Sequence, residues 1–234
     1  MAAGIPPAAF GFLRDLAANN NKAWFEANRA GYEAAVKRPM ADLIAAVAAE
    51  LASRVLPLEG DPKRSAFRIH RDVRFSGNKS PYKTEVGAVW YRQGSGKGGA
   101  GVLYFHLAPA GCFMAAAFYH PDSETLDAIR ERIRVHADRF LAMQAGLATT
   151  GLALADAERL TRLPRGYEDL KGSAVAPALR LRSFLVKRDL PAKLVHSVRL
   201  APAIAAFAAE ALPLLRFGWD AVDEVTASTK PPIQ

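Results

Sequence analysis

Between Phe67 and Lys83 the chain reads FRIHRDVRFSGNKSPYK, which places three arginines, two lysines, one aspartate and one tyrosine in seventeen positions. Guanidinium forks, a lysine point charge and a phenol hydroxyl are the side chains that hold a phosphate or a carboxylate. In a ligand site Arg68, Arg71, Arg74 and Lys79 would grip the anion, Asp72 would orient the arginines, and Tyr82 would donate a hydrogen bond. Asn78 tolerates left-handed backbone and Pro81 stiffens the exit, so the loop would present Lys79 and Tyr82 together. The segment is rich in cations and poor in bases. Any reaction would have to use Asp72, or His106 from further along the chain, as its general acid or base.

The same residue types can serve the fold instead, as an internal ion-pair network. Alternation predicts a strand with Phe67, Ile69, Val73 and Phe75 on one side and Arg68, His70, Asp72 and Arg74 on the other. Arg71 then falls on the apolar side, where a guanidinium must be paired or reach solvent. Its partner would be a carboxylate, with Glu26, Glu33 and Asp72 as candidates, or an anionic ligand.

The arrangement Arg68-x-x-Arg71-Asp72-x-Arg74-Phe75-x-x-Asn78-Lys79-x-x-Tyr82 resembles the signature of an uncharacterised, mainly bacterial family, domain of unknown function 2461. The stretch Asn20-Asn21-Lys22-Ala23-Trp24-Phe25-Glu26-Ala27-Asn28-Arg29 is similar to that family's N-terminal block, and Pro164-Arg165-Gly166-Tyr167 has a similar look. The resemblance covers most of the chain. It implies no activity.

Other constellations carry less. GSGKGGAG, residues 94–101, departs from a phosphate-binding loop: Lys97 is followed by Gly98 rather than Ser or Thr, and a strand rather than a helix comes next. None of His70, His106, His120, His136 and His196 stands at ligand spacing, so neither a metal nor a cofactor is expected. His106 shares a strand face with Tyr104, and together they would complete a polar pocket if that face adjoins the arginines. Trp24, Phe25 and Tyr32 read as core rather than as a base-stacking surface. No G-x-S-x-G elbow occurs, and Cys112, the one cysteine, sits at an apolar strand start.

A formal charge of +8 would attract phosphates, nucleic acid or an anionic surface. Three functions stay open: a binder of a phosphorylated or carboxylated small molecule, a nucleic-acid binder using its basic surface, and a structural module. A single cysteine excludes an internal disulfide framework. The N-terminal MAAGIPPAAFGFLRDL does not read as a signal peptide, and no window reaches the ~18 uninterrupted apolar residues of a membrane span. A cytoplasmic protein without a membrane partner is expected. The sequence carries no signal for an oligomeric state.

The elements that must position these residues follow from periodicity. The first fifty-odd residues read as helices, interrupted at Asn19-Asn20-Asn21, where asparagine closes one helix and caps the next. Pro39 is expected to end or kink the second helix, and a third follows to Leu56. Strands are expected over 67–75, 84–91, 102–108 and 112–119, the last two joined around Pro109-Ala110-Gly111. A turn is expected at Ser76-Gly77-Asn78 and a flexible loop over 93–101. One long helix should start at Pro121-Asp122-Ser123 and carry Leu126, Ile129, Ile133, Ala137, Phe140 and Leu141 inward. A short helix over 174–182, a short strand over 183–186 and a helical stretch over 191–217, interrupted by Pro202 and Pro213, complete the pattern. The whole predicts a single α+β domain over 1–227, an antiparallel sheet of about four to five strands covered by N- and C-terminal helices. A disordered tail is expected over 228–234.

Overall fold

Helix formation at the N-terminus follows the proline and asparagine signals closely. A computed structural model of the chain describes residues 4–72, 74, 77–156 and 158–229. Helix α1 (Pro7–Ala18) begins on Pro7, whose fixed φ suits a first turn, and ends at Asn19. Helix α2 (Lys22–Ala27) is capped by Asn21, whose side chain accepts from the Trp24 N–H. Next come α3 (Arg29–Tyr32), a π-helical turn Glu33–Lys37, and α4 (Arg38–Ser53).

Pro39 does not end this run. The hydrogen-bond ladder widens just upstream, where the Arg38 N–H reaches Glu33 O, so the chain stays helical through a residue that has no N–H to give.

Five strands follow: β1 (Leu58–Glu59), β2 (Val86–Arg92), β3 (Val102–Leu107), β4 (Cys112–Phe118) and, after an excursion, β5 (Phe184–Leu190). They form one antiparallel sheet in the order β1-β2-β3-β4-β5, with Leu58 opposite Arg92 and Glu59 opposite Tyr91. The excursion holds α5 (Ser123–Val135), α6 (Ala137–Thr149), a 3-10 turn Glu168–Leu170 and α7 (Ala176–Leu179). Helices α8 (Ala192–Val195) and α9 (Leu200–Thr229) close the chain. The α+β architecture predicted from periodicity is the one observed.

Several boundaries differ from expectation. The long helix after Pro121 is two, because His136 leaves helical geometry at φ −120° and ψ 45°. Helix α9 is not interrupted: Pro202 lies in its first turn, where N–H groups have no intrahelical acceptor, and Pro213 is held inside it. It also runs to Thr229, beyond the boundary expected at 227, while residues 230–234 lie outside the described residues. By length and composition Leu200–Ala227 could cross a membrane, but most of its apolar window is buried in the protein, as in a core helix.

The chain groups into two compact units. The first comprises Met1–Lys97, Leu103–Met114 and Arg188–Ala208. Its interior joins α4 to β2, where the Trp90 indole donates to Ile44 O at 3.2 Å. Gly60 makes room for that ring, since a Cβ there would lie 2.4 Å from Trp90 Cδ1. The second unit comprises Gly98–Val102, Ala115–Lys187 and Ala209–Gln234. Here Phe118 packs on Gly101 and Gly218, and the Trp219 indole donates to Ala100 O at 3.0 Å. Two arginines are buried in it: Arg130 donates to Leu179 O and Leu181 O, and Arg132 pairs with Asp220 and Glu224.

Candidate functional site

Over residues 66–72 the segment that the sequence marks for anion chemistry pairs with its neighbour but forms no regular strand. Two isolated antiparallel bridges, Ala66 with Ala88 and His70 with Tyr82, tie it to the chain that leads into β2. Three residues separate the bridges on one side and five on the other, so the register slips and the ladder cannot continue. Backbone bonds survive around the slip: Phe67 N to Gly87 O, Lys83 N to Ile69 O, and Arg71 N to Pro81 O. Val73, Phe75 and Ser76, parts of the expected strand and turn, lie outside the described residues.

Asn20 fixes the far strand of this pair. Its carboxamide oxygen accepts the Tyr82 N–H at 3.0 Å and its NH2 donates to Tyr82 O at 3.0 Å. Tyr82 is thereby held under α2. Its ring, 3% exposed, stacks on Phe25 at 4.1 Å and 19°, and His70 sits 5.2 Å away. Phe25 in turn meets Phe12 and Tyr32; Phe12 and Phe25 are buried, whereas Trp24 and Tyr32, expected in the core, are half-buried at its edge. Burial raises the Tyr32 phenol to about 12, with Glu33 adding to the effect.

The charged residues divide into paired and unpaired. Arg74 grips Asp72 with two parallel bonds, Nε to Oδ1 at 3.0 Å and a terminal nitrogen to Oδ2 at 2.7 Å, and its backbone N–H adds a third at 3.2 Å. The Arg74 guanidinium is the main reason the Asp72 carboxyl is held below its ordinary range, with Arg68 contributing more weakly. Glu26 is taken by Arg29 and Glu33 by Lys37. Each carboxylate considered as a partner for Arg71 therefore bonds elsewhere. Among the described residues neither Arg68, which is exposed, nor Arg71, which is half-buried, has a side-chain hydrogen bond or ion pair.

Asn78 serves the loop, its side chain accepting from the Ser80 N–H at 2.9 Å in an Asx turn. Lys79 is exposed beside it.

Lys97, in the glycine-rich loop, returns to this segment. Its ammonium donates to Arg64 O at 2.6 Å and Ala66 O at 2.9 Å, and lies 4.7 Å from the centre of the Phe67 ring. Partial burial, with the Lys83 charge adding to it, pushes its pKa down. The loop is thus pinned by Lys97.

Tyr104 and His106 do lie together, the phenol 3.0 Å from His106 Nδ1. Burial pushes the imidazole below its ordinary pKa, against a smaller opposing effect of Glu85. Tyr104 contacts Phe67 at 6.1 Å, which joins this pair to the start of the motif. Sequence reasoning missed Asn20, whose target lies 62 residues away, and the parts of Phe67, Lys83 and Phe113. Only the pairing of Tyr104 with His106 on alternate positions of one strand hinted at that face. No group of three or more His, Cys, Asp or Glu among the described residues is placed to hold a metal ion.

Fold and site together define an α+β protein whose cationic segment is clamped to its N-terminal helices by one asparagine. A family model described as conserved hypothetical protein (DUF2461) matches residues 8–217, and the chain belongs to that family. Comparison with the curated proteins and with the solved structures finds no match.

Proposed function

We propose that the Arg68–Tyr82 segment binds a phosphorylated or carboxylated small molecule. The observation that carries this reading is the pair of uncommitted guanidiniums at Arg68 and Arg71, while Glu26, Glu33 and Asp72, the carboxylates weighed as partners, are engaged with other cations. A purely structural ion-pair module would have used Glu26, Glu33 or Asp72 to neutralise Arg71. Arg71 instead offers five N–H donors from a half-buried position, where an incoming anion meets less competition from water. Asp72 orients Arg74, and Asn78 shapes the loop that carries Lys79. Tyr82 contributes through its place in the aromatic stack, which fixes the backbone opposite Arg71.

The test is a thermal-shift titration of wild type and Arg71→Ala with inorganic phosphate, phosphorylated sugars and di- and tricarboxylates. Selective stabilisation of the wild type by one anion class is expected. Equal response of both proteins to every anion would remove the ligand reading.

A further inference from the structure

We propose a second ligand site, on the sheet face that carries Tyr104 and His106, for a planar heteroaromatic ring bearing one phosphate, of the nucleoside monophosphate class. Side chains along β3 alternate: Leu103, Phe105 and Leu107 are buried, whereas Tyr104 and His106 are half-buried on the opposite face. On that face the rings form a connected row. Phe113 of β4 stacks on His106 at 4.6 Å and 18°, and Tyr104 holds His106 Nδ1 through its hydroxyl. Phe67 then meets Tyr104 nearly edge-on, at 6.1 Å and 67°. Gly87 on β2 is what lets the Tyr104 ring lie flat across the sheet, since a Cβ there would come within 2.6 Å of it.

Two features mark this row as a place for a ligand. Phe67 is 40% exposed, with Lys97 Nζ 4.7 Å and Lys83 Nζ 5.7 Å from its ring centre. The Lys83 ammonium has no hydrogen-bond acceptor among the described residues, and Lys97 spends two of its three donors on backbone carbonyls. His106 Nε2 likewise has no partner among the described residues. The face therefore offers the exposed Phe67 ring for stacking, free ammonium donors for a phosphate beside it, and one ring nitrogen of His106 for a polar edge.

Charge limits the ligand to a single phosphate. The Glu85 carboxylate acts on His106 and would repel a phosphate chain that continued towards the imidazole. A nucleic-acid strand tracks a cationic groove along its length, whereas Lys83 and Lys97 both stand beside Phe67.

The experiment is calorimetric titration of the full chain with the four ribonucleoside 5′-monophosphates, ribose 5-phosphate, adenosine and single-stranded oligonucleotides of increasing length, with the His106 imidazole resonances followed by NMR. Expected is binding of a monophosphate that moves the His106 signals and is about tenfold or more tighter than that of ribose 5-phosphate or adenosine. Phe67→Ala should weaken it about tenfold. Lys83→Met, which alters no hydrogen bond of the fold, should weaken it as well and serves if the first variant misfolds. Four results would each overturn the site: no monophosphate binding, equal binding of ribose 5-phosphate, binding that leaves His106 unmoved, or affinity that rises with oligonucleotide length.

Discussion

Asn20 treats Tyr82 as a strand would, accepting its N–H and donating to its carbonyl, each at 3.0 Å. One side chain thus connects the N-terminal helices to the cationic segment, and it does so where the ladder with residues 65–71 has slipped register. Truncation of Asn20 strands both polar groups of a buried residue. Asn20→Ala should cost ~1–3 kcal/mol of unfolding free energy, read from urea denaturation. Asn20→Asp, which keeps the acceptor and loses the donor, should fall between wild type and the alanine variant. An alanine variant as stable as wild type would mean that water replaces the carboxamide at no cost.

That contact also shows what the sequence could and could not reveal. Asn21 was legible as a helix cap because capping is local: its acceptor and the Trp24 N–H lie three residues apart. Asn20, its neighbour in the same run of asparagines, acts across 62 positions, and no local pattern marks that contact. The strands β2, β3 and β4 were legible because alternation and the Pro109-Ala110-Gly111 turn agree. The strand expected over 67–75 failed because the slip between two bridges is a property of the pair and cannot be read from either member. The same reason hid the state of Arg71: parity marked it as needing a partner, but only the distances show Glu26, Glu33 and Asp72 bonded to other cations.

The Asp72–Arg74 pair predicts a titration. The carboxyl is held below its ordinary value by the guanidinium, so its NMR titration midpoint should fall under the ~3.9 of an unperturbed aspartate. Its contribution to stability is full above the unfolded-state pKa and is lost as the pH falls through the folded value. Arg74→Ala should return the midpoint towards ~3.9. A midpoint unchanged by that substitution would show that the pair does not persist in solution.

Gly87 predicts a packing effect that reaches His106. A Cβ at this position would sit 2.6 Å from the Tyr104 ring, closer than any van der Waals contact. Gly87→Ala should therefore displace the ring and cost ~1–3 kcal/mol as overpacking. It should also separate the Tyr104 hydroxyl from His106 Nδ1, which a changed imidazole shift would report. Full stability together with an unaltered His106 signal would show that Tyr104 has room to move without releasing the histidine.

His106 supplies the last prediction, because the two influences on it have opposite signs. Burial, the larger, lowers its pKa, and the Glu85 carboxylate raises it. A histidine depressed in the folded state binds its proton more weakly there than in the unfolded chain. Its contribution to stability is thus full above the unfolded value of ~6.5 and falls away as the pH drops from there to the folded midpoint. NMR titration of the imidazole should place that midpoint below ~6.5. Glu85→Gln removes the one opposing charge and should lower the midpoint further, widening the pH window over which stability declines. A midpoint that does not fall in Glu85→Gln would mean that the carboxylate does not act on the imidazole, and the charge limit placed on the aromatic site would fall with it.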